Sequence, residues 1–391
     1  MNVAILGLAW GDEAKAAVAH RMAPDFDFVI RTSGGSNCGH TIYDNGKKYV
    51  HHLLPCVDFN FKNTKAFLGS GMVVSLEELL AEITEINKSF DSIGNRIIID
   101  PDAFIVTKFH KRMDAQTNSH IGTTNKGIGP TYSDKTARRG IRINHLLRNL
   151  DCTGLLSHLA TLEEINEYIA ELKTIVSKLV DSGVQFIPSL AMKDEFLRSK
   201  LLFEGAQGAL LSLEHGSFPY VTSSDCTVSG AYASGFNFLK IDKIYGITKC
   251  YVTKVGEGPF PTEIFGKACL NLQTKGNEIG STTGRLRRCG WLDLPALKYA
   301  CDKSGVTDLI VTKLDILEGR DQVTVCQNYD HEPTSGFDFF EANRHFSSVH
   351  GWKHRYDHNI DKFLTMIESH TGKKVSHYTY GVERRDMIEF K

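Results

Sequence analysis

Short apolar runs closed by glycine or polar clusters alternate along the chain with stretches whose apolar residues recur every three or four positions. Val3–Leu6, Asp27–Thr32, Ala66–Leu68, Arg96–Asp100, Leu201–Gly208, Tyr245–Val255, Asp308–Asp315 and Val375–Tyr380 read as strands. Thr41–Val50 reads as a hairpin, because Asn45-Gly46 supplies the turn dipeptide that such loops favour. Lys15–Met22 is alanine-rich and helix-forming, Ser75–Ser89 is amphipathic behind a capping serine, and Asn359–Thr371 is helical. From Leu146 to Ser182 the pattern is mostly helical, with Leu162, Ile165, Ile169, Leu172 and Val176 on one face. This alternation predicts an α/β fold: a single large domain with a mostly parallel central sheet flanked by helices, and ligand loops at the carboxyl ends of strands. No repeat, low-complexity tract or linker divides it, so residues 1–391 read as one domain carrying a helical appendage at about 145–182.

The pattern lapses in a few places. Residues 120–139 run through Gly, Thr, Lys and Pro without periodicity, and a loop of that length inside a domain is functional or disordered. Asn277–Arg288 is a second glycine-threonine-arginine loop, and Ser33–His40 carries three glycines with the side chains of Asn37 and His40.

Composition narrows the function. The 391 residues are 41% apolar and 23% charged, as in an ordinary globular protein. A net charge of −1 argues against a nucleic-acid surface, though it leaves room for a small anionic substrate held by a few arginines. No run approaches the roughly 18 apolar residues of a membrane span. Asp12 and Glu13 stand where a signal peptide would have its apolar core. Nine scattered cysteines without a C-x-x-C pair suit reduced thiols in a cytoplasmic protein, and Cys38 and Cys289 serve equally well as small fillers.

The strongest chemistry lies in Val3-Ala-Ile-Leu-Gly-Leu-Ala-Trp-Gly-Asp-Glu-Ala-Lys15. A strand, a turn with Gly7 and Gly11, and a helix N-terminus together make an anion site, since unpaired N–H groups and the positive end of the helix dipole face the turn. The Walker A spacing fails, with Asp12 where the second glycine should stand. A carboxylate in a phosphate cradle repels phosphate unless it binds Mg²⁺ or takes a proton; the plainer alternative is an acidic helix cap. Thr312-Lys-Leu-Asp315, at a strand end, suits a purine: the lysine stem covers the ring face and the carboxylate accepts from the N1/N2 donor pair of guanine. A surface salt bridge is the alternative there.

Trp10-Gly-Asp-Glu-Ala-Lys15 with Gly34-Gly-Ser-Asn-Cys-Gly-His-Thr41 resembles the paired N-terminal signatures of the adenylosuccinate synthetase family, W-G-D-E-G-K-G-K and G-G-x-N-A-G-H-T. Matching segments continue to the C-terminus, among them Gly122–Pro130, Phe203–Gly208, Pro219–Ser224, Gly258–Glu263, Thr282–Arg285 and Thr312–Asp315. The resemblance implies joining of IMP and L-aspartate with hydrolysis of GTP and use of Mg²⁺. It implies Asp12 and His40 as catalytic residues, with Mg²⁺ on Asp12 and the carbonyl of Gly39. For IMP it implies Asn37, Thr124, Gln207, Thr222 and Arg285, with Arg138 reaching across a homodimer. Thr282, Thr283 and Arg285 would close over aspartate. Gly11, Lys15, Thr41, Arg287, Lys313, Asp315, Thr379 and Gly381 would hold GTP.

The chain departs from the family pattern at Ala14-Lys15-Ala16-Ala17, where two glycines and one lysine are lost. Lys126 replaces an arginine, Leu286 interrupts the arginine series, and Val382 replaces a proline. Two alternatives follow: a related ligase acting on GMP or dGMP, against which retention of Asp12 weighs, and a non-catalytic purine-nucleotide-binding paralogue.

Overall fold

The computed structural model describes residues 1–44, 46–61, 63–90, 92–117, 122–280 and 284–391. Ten strands form its main sheet: β1 Val3–Gly7, β2 Phe28–Arg31, β3 Lys65–Leu68, β4 Ile97–Ile99, β5 Gln185–Phe186, β6 Leu201–Gly208, β7 Lys243–Lys249, β8 Asp308–Thr312, β9 Lys374–Thr379 and β10 Met387–Glu389. Their spatial order is β10-β9-β8-β7-β1-β6-β2-β3-β4-β5. Every neighbouring pair is parallel except β9–β10. The apolar runs are short and unbroken because these strands are covered on both faces. Along β1 the side chains alternate: Val3 and Ile5 enter one core, Ala4 the other.

The first core holds Val29, Leu68 and Ile97 together with helix α1 (Lys15–Met22) and helix α2 (Leu76–Ile86). Ser75 caps α2 by accepting from the Glu78 amide. On the opposite face Phe28, Ile30 and Phe67 pack with Phe196 and Phe236. Beyond β1, Leu309, Val311 and Val375 meet Leu294, Ala300, Ile360 and Phe363.

β1 lies between β6 and β7, and the strands numbered before and after them spread to opposite sides of it. Loops leaving the carboxyl ends of β1, β6 and β7 therefore diverge and open a crevice, which is where open α/β sheets bind ligands.

Several expectations needed correction. The Tyr245–Val255 run is not one strand. It breaks at Cys250, and Tyr251–Lys254 enters a separate four-stranded sheet with Arg288–Asp293, Gln322–Tyr329 and Arg344–His350. Asp308–Asp315 stops at Thr312, because Lys313 turns into the left-handed region at φ 63°. The aperiodic 120–139 stretch contains a helix, α3 (Ile128–Thr136). Its residues are poor helix formers, but Pro130 lies in the first turn, where its missing N–H costs nothing, and Gly127 supplies φ 73° before it.

Helix α4 (Leu162–Asp181) is capped by Thr161 and Glu164 and buries Ile165, Tyr168, Leu172, Val176 and Leu179. Leu162, the first residue of the helix, was expected on that face and is exposed, whereas Ile165 in the same turn is buried. Asn45 of the hairpin turn lies outside the described residues, between strands His40–Asp44 and Lys47–His51.

Candidate active site

The turn after β1 is filled by the chain's own carboxylate. The amides of Ala9 and Gly11 donate to Oε1 of Glu13 at 3.0 and 2.9 Å, and Lys15 Nζ donates to its Oε2 at 3.2 Å. A Cβ on Gly7 would stand 2.2 Å from Oε2, and one on Gly208 2.3 Å from Oε1. Glycine at both positions is what lets the buried carboxylate enter. The anion expected at this turn is thus Glu13, which leaves Asp12 outside it, facing the cavity. Asp12 and Ala14 adopt φ 63° and 68°. Aspartate tolerates that region, but for alanine it costs about 1–2 kcal/mol. Where the family pattern has glycine, this chain carries strain.

His40 begins the hairpin strand after β2. Its Nδ1 is 2.5 Å from Oε1 of Glu204 on β6, and its Nε2 lies 3.3 Å from the Ala206 carbonyl. The other Glu204 oxygen accepts from the Cys56 amide at 2.7 Å. Burial pushes the imidazole pKa down, but the charges and hydrogen bonds of Glu204 and Cys38 together outweigh it and raise the value to about 9. Burial would raise the Glu204 carboxyl, and His40, the Arg31 charge and the Cys56 amide together hold it at about 2. The pair is an imidazolium carboxylate at neutral pH. Beside it the Cys38 sulfur accepts from Arg31 Nη2 at 3.2 Å and Gln207 Nε2 at 3.0 Å. Burial raises that thiol, Arg31 and His40 lower it further, and it settles at about 7.

On the other side, Asp12 Oδ2 pairs with Arg287 Nε at 2.7 Å, and Arg287 Nη1 reaches Glu278 Oε2 at 2.7 Å. Glu278 is fully buried, and its Oε1 takes Lys249 Nζ at 2.8 Å, Lys313 Nζ at 2.8 Å and the Tyr251 hydroxyl at 2.5 Å. Burial would raise the Glu278 carboxyl, yet the three cations hold it well below the usual range. Burial lowers Lys249 to about 8 in spite of Glu278. Next to this group the Lys313 amide donates to Thr379 Oγ1 at 3.0 Å, and the Gly381 amide to Asp315 Oδ1 at 3.1 Å. Burial raises the Asp315 carboxyl.

A cavity of about 550 Å³ lies between these groups. Of the residues singled out in the sequence, Gly11, Asp12, Lys15, Asn37, Gly39, His40, Thr124, Gln207 and Thr222 line it. Arg287, Lys313, Asp315, Thr379 and Gly381 gather on the far side of Asp12, off its wall, and Thr41 sits in the hairpin. Arg138 is exposed at φ 61° and does not line the cavity. Arg285 is exposed near Gly122, where an added Cβ would meet its Nη1 at 3.9 Å. Thr282 and Thr283 lie outside the described residues.

The sequence reading missed Glu204, Lys249, Lys254, Asp134 and Glu278. Lys254 and Asp134 line the cavity, and the Lys254 Nζ is buried with no hydrogen-bond partner among the described residues. Asp134 accepts from His110 at 3.1 Å and His158 at 2.8 Å. Glu204 stood in a quoted motif without a role, and charged residues inside apolar strand runs were the available signal.

An α/β sheet whose switch-point cavity is lined by both an acid and a charged imidazole has the layout of a small-molecule enzyme that takes a nucleotide. Residues 4–388 match the family model described as adenylosuccinate synthetase. An adenylosuccinate synthetase of Petrotoga mobilis is 40% identical over 99% of this chain and 96% of its own. That of Thermotoga maritima is 38% identical over the whole of both. A solved structure described as fully ligated adenylosuccinate synthetase from Plasmodium falciparum superposes with a TM-score of 0.90 at 32% identity, covering 100% of this chain and 99% of that one. The succinoaminodeoxyadenylate synthetase of cyanophage S-2L, bound to dGMP and dATP, shares only the fold at 18% identity and TM-score 0.69, over 99% and 95% of the two chains. The chain belongs to the adenylosuccinate synthetase family, and it is a ligase that forms a C–N bond between IMP and aspartate using GTP. No helix among the described residues is long and apolar enough to cross a membrane.

The His40–Glu204 pair makes a sign-specific prediction. Its stabilising contribution is complete between the ordinary carboxyl and histidine pKa values of about 4.3 and 6.5, and is lost as pH rises through about 9 or falls through about 2. In Glu204→Gln, only the Cys38 sulfur is left to oppose burial of the imidazole, so the alkaline limb of the kcat profile should move acidward by at least about one pH unit. A limb that stays in place would show that Glu204 does not set the charge of His40.

Proposed function

We propose that the ligation runs through a 6-phosphoryl purine, with Asp12 as base and His40 as the charged donor; what supports this is that both line one cavity. Asp12 removes the N1 proton of IMP. The 6-oxyanion attacks the γ-phosphorus of GTP, the bond to the bridging oxygen breaks, and GDP leaves. His40, held as imidazolium by Glu204, stabilises charge on the transferring phosphoryl group. The aspartate amine then attacks C6, the C6–O bond breaks, and phosphate departs as the C–N bond forms.

Within the cavity Asn37, Thr124, Gln207 and Thr222 are assigned to IMP, and Arg285 to IMP and aspartate, since a guanidinium fork suits carboxylates. Thr282 and Thr283 are assigned to aspartate. Gly11, Lys15, Thr41, Arg287, Lys313, Asp315, Thr379 and Gly381 are assigned to GTP, with Asp315 reading guanine. The Asp12 carboxylate and the Gly39 carbonyl both line the cavity, and such hard oxygen donors beside substrate phosphates suit Mg²⁺. The ion would be held there and would offset phosphate charge next to Asp12. The other close group, His40, Cys56 and Glu204, offers a thiol and an imidazole already committed to an ion pair, and does not suit Mg²⁺. The setting proposed is cytoplasmic.

The test crosses IMP, GMP and dGMP with GTP and ATP, following phosphate release and product mass. A 2-amino group would crowd Asp12 at N1, and strained Ala14 stiffens the turn. IMP should therefore exceed dGMP in kcat/KM by at least about tenfold, or roughly 1.4 kcal/mol, with GTP preferred over ATP. A dGMP value at or above that of IMP would favour the aminopurine reading instead. Equal use of ATP would remove the guanine role of Asp315.

A homodimer with shared sites is also proposed, because Arg138 is exposed and does not line the cavity of its own chain, although Arg139 beside it does. Mixing inactive Arg138→Leu with inactive Asp12→Asn should restore part of the activity through hybrid dimers. No recovery after demonstrated subunit exchange would mean that each chain's site is self-contained.

A further inference from the structure

The carboxylate of Glu278 is the point where three separate parts of the chain meet. It lies at the start of the 277–288 loop, is fully buried, and accepts from four side chains. Lys249 comes from the end of β7 and donates a second bond to Thr253 at 2.8 Å. Lys313 follows β8 and also donates to the Gly276 carbonyl at 2.7 Å. Arg287 closes the same loop and carries Asp12 on its Nε. Around one buried carboxylate there are three cations, and Asp12 is the only other anion within ion-pair distance of any of them among the described residues. The group therefore holds one positive charge more than it balances internally.

Such an excess is costly to bury, because each unpaired ion retains a desolvation penalty. It is lowered when an anion arrives at the open side, where the side chain of Arg287 is partly exposed and that of Lys313 a quarter exposed. A polyphosphate is that kind of anion.

We propose that Glu278 is a positioning residue that couples the nucleotide ledge to the catalytic base. One of its oxygens fixes Lys313 on the guanine side, and the other fixes Arg287 against Asp12. The incoming triphosphate competes with Asp12 for Arg287, and Asp12 is released towards the purine in the cavity. The inference rests on the nucleotide assignment above and goes beyond it in naming the residue that sets the geometry.

Wild-type protein and Glu278→Gln are compared by calorimetric binding of GTP and of IMP separately, then by steady-state kinetics. GTP should bind at least tenfold more weakly and kcat fall at least tenfold, while IMP affinity stays within threefold. Tyr251→Phe removes a donor to the same oxygen without removing a cation, and should leave GTP affinity within threefold. If Glu278→Gln fails to fold, Glu278→Gln/Lys249→Met, which restores the charge balance, is expected to show the same GTP-specific loss. Retention of GTP affinity within threefold in a folded variant would overturn the proposal, as would equal weakening of GTP and IMP. Absence of GTP binding by the wild-type protein would instead reject the nucleotide assignment.

Discussion

Buried charge must be paired, and the interior of this fold is arranged around three carboxylates that satisfy that condition. Glu13 fills the turn after β1, Glu204 holds His40 charged, and Glu278 gathers Lys249, Lys313 and Arg287. Removing one partner of such a pair costs about 3–5 kcal/mol, because the other charge stays buried. Each carboxylate stands at a junction between strands that are far apart in sequence. The pairs therefore act as fixed points for the loops that carry the chemistry.

The topology explains why these fixed points converge. β1 sits between β6 and β7, so the loops after all three open into one crevice. Glu204 is a residue of β6, Lys249 ends β7, and Glu13 follows β1. Asp12 stands between the two charged groups. It faces the cavity on one side and Arg287 on the other. A base held by an arginine is restrained until something draws the arginine away.

Much of this was legible beforehand. Strand runs such as Val3–Leu6 and Asp308–Val311 are unambiguous because a doubly covered strand has no polar face. Asp12, His40 and the motif loops could be named because short spacings preserve their chemistry in the linear text. The helix Ile128–Thr136 was hidden because its residues have low helix propensity and are held by tertiary contacts; Tyr132, for example, donates its hydroxyl to the Gly71 carbonyl at 2.9 Å. The break at Cys250 was hidden because the apolar run continues unchanged while the chain passes from one sheet into another. Glu278 was quoted in its loop without a role, since its four partners lie as far as 35 positions away. Long-range pairing of this kind has no local signature.

In the proposed route the purine oxygen is phosphorylated before the amine enters. IMP labelled with ¹⁸O at position 6 tests it most directly, with the released phosphate read by ³¹P NMR. In the presence of GTP and aspartate, the label should appear in inorganic phosphate in step with product. Release of unlabelled phosphate, with the heavy oxygen in water, would contradict the account.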